Sequence, residues 1–215
     1  MQLRITETVR DRLELIEPLV REGRILDVGC VDARSARHAS SERVAAPDLL
    51  FRRLCELNSN VVGLDLDHDG VEELKRQGFD AICADACSVQ LDERFDVIVA
   101  GEVIEHVANV GAFLENLRDH LAPDGVLIVS TPNPFYAGQA WKIWRYGAPD
   151  VHEDHVAWFD PITLGAALQR AGLEPVRAAW VQRKPQAKTW KSLLRGYFRH
   201  SFLVVARRGE AAANA

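Results

Sequence analysis

Residues 24–30 read Arg24-Ile25-Leu26-Asp27-Val28-Gly29-Cys30, an apolar run that ends in a carboxylate, a glycine and a thiol. The form recurs as Val61-Val62-Gly63-Leu64-Asp65, and again as Asp80-Ala81-Ile82-Cys83-Ala84 leading into Asp85. Phe95 to Ala100, apolar after Asp96, and Val126 to Ser130 read as a fourth and a fifth strand. Strands that are apolar on both faces belong to parallel sheets covered by helices on both sides. Helical stretches fill the intervals. Val9, Leu13, Ile16 and Val20 recur at helical spacing before Gly23, and an amphipathic stretch covers Asp48 to Leu57. A helix from about Gly70 to Gln77 stops at Gly78, and residues 111–121 end at the Pro123-Asp124-Gly125 turn. Asp160-Pro161 opens a further helix, with Asp as N-cap and Pro in the first turn, and Gly172 closes it. Pro175 to Val181 and Ser201 to Ala206 supply two last strands with no clear helical period between them, so they are expected to pair antiparallel. The pattern predicts one α/β domain over residues 1–215, a seven-stranded, mostly parallel sheet with one antiparallel strand near the C-terminus. Residues 31–47 read as irregular and polar, and the alanine-rich tail as frayed.

The bulk numbers narrow the partners. A chain of 215 residues with 47% hydrophobic and 27% charged residues suits one soluble domain. Net charge is −5, and the one modestly basic stretch, Arg183 to Arg199, reads as a solvated surface, so nucleic acid is disfavoured as a partner. The first residues carry charges and no signal-peptide core, and no apolar run reaches the ~20 residues of a membrane span. Cys30, Cys55, Cys83 and Cys87 lack C-x-x-C spacing and read as free thiols of a reducing, cytoplasmic setting.

In such a sheet, ligands bind beyond the carboxyl ends of the strands. Asp27, Asp65 and Asp85 fall there in series. A nucleoside explains the order: a carboxylate after the second strand accepts from both ribose hydroxyls, and one after the third accepts from the adenine amino group. Gly29 permits close backbone approach. A dinucleotide would require G-x-G-x-x-G, whereas Gly29-Cys30-Val31-Asp32-Ala33-Arg34 keeps one glycine and sets an acid where pyrophosphate would lie. S-adenosylmethionine (SAM) carries no phosphate and two positive groups, and fits better. A NAD-linked oxidoreductase is thereby disfavoured.

The same residues resemble the class I SAM-dependent methyltransferases, over about Arg24 to Arg207. Ile25 to Cys30 looks like their first motif, Val62-Gly63-Leu64-Asp65 like the ribose motif, and Ala84-Asp85-Ala86 like the adenine motif. Phe95 to Val99 through Glu102-Val103-Ile104-Glu105-His106-Val107 is similar to their fourth-strand motif; Leu121 to Gly125 and Ser130-Thr131-Pro132-Asn133 follow the pattern. The resemblance implies a Rossmann-like fold and SAM contacts at Asp27, Gly29, Cys30, Asp65, Leu66, Asp85, Ala86 and Gly101. Val31 and Ala33 depart from the usual glycines. A SAM-binding domain without catalysis is the alternative that this loop suggests. Glu102-Val103-Ile104-Glu105-His106, Thr131-Pro132-Asn133 and His155-Val156-Ala157-Trp158-Phe159 resemble two groups, the ubiquinone-biosynthesis O-methyltransferases and small methyltransferases associated with cell-surface glycans. The implied acceptor is a small-molecule, sugar or quinone-type hydroxyl. Asn133-Pro134 follows the fifth strand rather than the fourth, which argues against base methylation.

Residues 134–160 hold Phe135, Tyr136, Trp141, Trp144, Tyr146, Trp158 and Phe159 in one connection, an aromatic insertion suited to a substrate lid. A hydroxyl acceptor needs its proton removed, and His106, in the loop after the fourth strand, is the first candidate base, His155 the second. The tract His152-Glu153-Asp154-His155 reads as an exposed polar loop. Were a helix to begin after the fourth strand, Glu102, Glu105 and His106 would share one face and could hold Mg²⁺ or another divalent ion. The ubiquinone-type resemblance implies metal ligands at those same positions.

Overall fold

A computed structural model describes residues 3–31, 44, 49–181 and 199–209. The readings of Asp32, Ala33 and Arg34, of the polar stretch to residue 47, of most of the basic stretch 183–199 and of the alanine tail lie outside the described residues.

Eight strands form one sheet: β1 (Glu7–Val9), β2 (Ile25–Val28), β3 (Val61–Asp65), β4 (Ala81–Cys83), β5 (Phe95–Gly101), β6 (Leu121–Pro132), β7 (Leu173–Val181) and β8 (Ser201–Arg208). Their order is β1-β7-β8-β6-β5-β2-β3-β4. Every neighbouring pair is parallel except those made by β8, which runs antiparallel to both β6 and β7. The expected Rossmann-like sheet is therefore present with one strand more than seven. The extra strand corrects the reading of Val9 as helical. Val9 pairs with Val181 at the sheet edge, and helix α1 begins later, at Leu13–Val20. Three residues are too few for a period to show in sequence; the partner strand defines them.

Helices α1, α2 (Leu50–Leu57), α3 (His68–Arg76), α4 (Val110–His120), α5 (Ala137–Tyr146) and α6 (Pro161–Arg170) accompany the sheet. Their starts follow local chemistry. The Asp67 carboxylate accepts from the Gly70 N–H, and Asp160 accepts from Ile162 and Thr163 while the Thr163 hydroxyl takes the Asp160 N–H. Two apolar clusters occupy the two faces. Ile25, Val61, Val97 and Ile128 belong to one, Leu26, Val62, Ile98 and Leu127 to the other, which is why these strands carry no polar alternation. β6 begins at Leu121, earlier than the expected Val126, because Leu121 pairs with Phe95 across an irregularity in register. The aromatic connection contains α5, a helix with no buried residue.

Candidate functional site

A cavity of about 1030 Å³ opens at the carboxyl ends of β2, β3, β4 and β5. Asp27, Gly29, Asp65, Leu66, Asp85, Ala86 and Gly101 all line it. The series expected from strand ends thus converges on one space.

Asp27 is buried, and that burial pushes its carboxyl up to about 8, with the nearby Asp65 charge adding to the rise and Arg12 opposing it. Asp27 Oδ2 and Arg12 Nη1 are both buried without a hydrogen-bond partner among the described residues. Arg12 also lines the cavity. Sequence reasoning missed it, because nothing in its spacing marks it; pairing of β1 with β7 brings the segment ahead of α1 to this end of the sheet.

Gly29 has φ +80, and a Cβ there would lie 2.4 Å from Val103 Cγ2. A side chain at this turn would be both strained and obstructed. Cys30, expected beside these residues as a SAM contact, does not line the cavity. Its thiol is buried away from the cavity, where a Cβ on Gly63 would meet Cys30 Sγ at 2.7 Å and Phe51 at 3.0 Å. Burial holds that thiol far above its ordinary value, so it is inert.

The Asp65 carboxylate accepts from the Val31 N–H and the Asp67 N–H, each at 2.9 Å, which fixes its rotamer at the end of β3. Burial raises its carboxyl, and these two bonds oppose the rise. Leu66 stands 70% exposed at the rim, an apolar surface beside the carboxylate. Asp85 accepts from the Cys87 N–H at 2.8 Å and so orders the turn after β4.

Beyond Gly101 the chain turns sharply. Glu102 has φ +60, a left-handed conformation that a non-glycine residue adopts at a cost of about 1–3 kcal/mol. Its N–H donates to Ser130 at 2.9 Å. Only a short 3₁₀ turn, Ile104–His106, follows. The helical face expected to join Glu102, Glu105 and His106 is therefore not formed. Instead Glu105, His106 and His155 bring one ligand atom each to within 4.8 Å of one another, and Glu102 lines the cavity nearby. Glu105 is buried, takes a 3.0 Å bond from the Thr131 hydroxyl, and is pushed up to about 7 by burial first and the Glu102 charge second. Burial lowers both His106 and His155. Their rings meet edge to face at 4.6 Å, and the His152 ring lies 5.9 Å from His106. The tract 152–155 is largely exposed, as expected, yet both its histidines reach the cavity. The joining bonds are those from the Val156 and Ala157 N–H groups to the Glu105 carbonyl, at 2.9 and 3.1 Å.

A family described as a methyltransferase domain matches residues 1–178. The chain belongs to the class I SAM-dependent methyltransferases. Within that family it is 36% identical over 186 residues to a ubiquinone biosynthesis O-methyltransferase of Azorhizobium caulinodans, covering 78% of this chain and 65% of that one. A Bradyrhizobium diazoefficiens protein of the same name is 31% identical over 116 residues, covering 51% and 40%. The chain thus spans less than two thirds of the length of these two relatives. A SAM-dependent methyltransferase structure from Archaeoglobus fulgidus shares the fold, with a TM-score of 0.62 at 15% identity, covering 92% of this chain and 91% of that one. No helix among the described residues is long and apolar enough to cross a membrane.

Proposed function

We propose that this methyltransferase domain binds SAM in the large cavity and directs its methyl group to the hydroxyl of a small-molecule, sugar or quinone-type acceptor. The observation that carries the cofactor reading is a pair of buried atoms in one cavity, Asp27 Oδ2 and Arg12 Nη1, each lacking a hydrogen-bond partner among the described residues. An amino-acid zwitterion satisfies both at once: Asp27 takes an ammonium and Arg12 a carboxylate. Asp65 then accepts from the ribose hydroxyls, Asp85 from the adenine amino group, and Leu66 and Ala86 border the base. Gly29 permits the positive-φ turn after β2, and Gly101 permits Leu50 and Arg12 to pack against the end of β5.

Bound SAM supplies an electrophilic methyl group on a sulfonium. The chain's task is to hold an acceptor oxygen in line with it and to keep water out. With SAM bound, the acceptor hydroxyl would take the methyl group while its proton passed to a base of this chain. His106 and His155 suit that role, since burial keeps both imidazoles neutral and able to accept. The curated relatives named O-methyltransferases support an oxygen acceptor.

A second reading is favoured by the gathering of Glu105, His106 and His155. A carboxylate and two imidazoles suit a divalent transition metal, and such an ion would lower the pKa of a bound hydroxyl in place of a protein base. His155 here stands where the sequence placed Glu102.

Purified protein with methyl-labelled SAM and a panel of hydroxylated acceptors tests the proposal. Transfer to a hydroxyl is expected. S-adenosylhomocysteine (SAH) binding without transfer to any acceptor or to cell extract would leave a SAM-binding domain without catalysis. Activity that survives exhaustive EDTA and Glu105→Gln would remove the cation and leave a histidine as plain base.

A further inference from the structure

Beyond the histidines lies a second cavity of about 210 Å³. It shares Glu105, Pro132, His152 and His155 with the large cavity, so one wall serves both. Its other walls include Tyr136 and Trp158, with Asn133 and Gln139 between them, and none of these four borders the large cavity.

Hydrogen bonds join these walls to neighbouring segments. The two bonds from Val156 and Ala157 to the Glu105 carbonyl tie the segment that carries Trp158 to the 3₁₀ turn. The Asn133 amide donates to the Arg199 carbonyl at 2.8 Å and accepts from the Phe135 N–H at 3.0 Å. Gln139 bonds twice to the backbone of Asp150, at 2.6 and 3.1 Å. Tyr136 packs its ring on His200 at 5.1 Å and folds it back over α5, where a Cβ on Gly138 would lie 2.3 Å from Tyr136 Cε1.

We infer that the smaller cavity is the acceptor's own site, shaped for a hydroxylated sugar ring that presents one hydroxyl across the shared wall of Glu105 and His155. The inference rests on the methyltransferase reading above and narrows its acceptor class. A pyranose has an apolar C–H face that suits the Trp158 and Tyr136 rings, and a rim of hydroxyls that suits the His152 and His155 imidazoles. The cavity's 210 Å³ matches roughly seven waters at about 30 Å³ each, the space of one ring with its hydroxyls. A polyprenylated phenol would need an apolar channel leading away from its ring. Asn133, Gln139, His152 and His200 stand around this one instead.

Saturation-transfer NMR on the SAH-loaded protein, with methyl hexopyranosides and with catechol as probes, tests the inference. The hexopyranosides are expected to bind. Trp158→Ala is expected to weaken them about fivefold or more, and Trp158→Phe to restore most of the loss. Gly138→Ala, which displaces the Tyr136 ring without touching the large cavity, is expected to weaken them too. SAH affinity by calorimetry stays within about twofold in all three variants, since none of these residues borders the large cavity. The inference is overturned if no hexopyranoside binds while SAH does, if binding survives both Trp158→Ala and Gly138→Ala, or if catechol alone is the ring that binds. SAH that fails to bind the unaltered protein would instead overturn the methyltransferase reading, and this inference with it.

Discussion

Binding of SAH at pH 7 is expected to expel a proton from Asp27. Burial holds that carboxyl at about 8 in the free protein, so at pH 7 it is ~0.9 protonated. An ammonium placed against it requires the carboxylate and drives the proton out. The release should be ~0.9 proton per ligand at pH 7, ~0.5 at pH 8, and close to none above pH 9. Affinity should accordingly rise nearly tenfold between pH 6 and pH 7, about 1.4 kcal/mol, and level off above pH 8. Calorimetry in phosphate and in Tris reads the proton directly, because the two buffers take it up with different heats. Asp65, whose carboxyl burial also raises, faces the same cavity, so Asp27→Asn is the control that separates them. That variant should lose both the buffer dependence and the slope. Equal heats in the two buffers at pH 7, or a slope that persists in Asp27→Asn, would refute the pairing. The same group has a signature in stability. Its folded-state value is raised above the ordinary 3.8, so its contribution is full below that value and is lost as pH rises through about 8. Asp27→Asn should therefore melt close to wild type at pH 4 and higher than wild type at pH 9.

Asp65→Ala should weaken SAH at least tenfold by calorimetry, since a carboxylate accepting two hydroxyls is worth roughly 2–4 kcal/mol; unchanged affinity would remove Asp65 from the ribose. Gly29→Ala should lower stability by about 1–3 kcal/mol in urea melts, because a Cβ at φ +80 meets Val103 Cγ2 at 2.4 Å; a neutral result would mean that the turn has room the geometry denies. The aromatic insertion, read as a lid, should become more protease-resistant across 137–151 when SAH and acceptor are both present, while the stretch from Val156, already bonded to Glu105, should not change. Equal cleavage of α5 in the free and loaded protein would make it a fixed outer helix.

The parallel sheet was legible in Ile25–Val28, Val61–Asp65 and Phe95–Gly101 because a strand buried on both faces has no polar alternation, and that pattern is written in consecutive residues. The convergence of Asp27, Asp65 and Asp85 was legible for a related reason: in a parallel sheet all carboxyl ends share one edge, so a residue's place at a strand end also gives its place in space. The start of α6 at Asp160 and Pro161 was equally local. Tertiary structure alone decided the rest. Val9 kept helical spacing with Leu13, Ile16 and Val20 and still became a strand, because the exposed edge of β7 offered its backbone partners. That pairing set Arg12 beside Asp27. Glu102 left the face of Glu105 and His106 because a left-handed residue and a 3₁₀ turn replaced the expected helix, and His155 arrived from fifty residues on through backbone bonds to the Glu105 carbonyl. Cys30 turned into the core because Gly63 on the neighbouring strand left space for its sulfur. A period or a cap is a relation among neighbours in the chain, whereas which side chain meets which across a cavity depends on where separate elements come to rest.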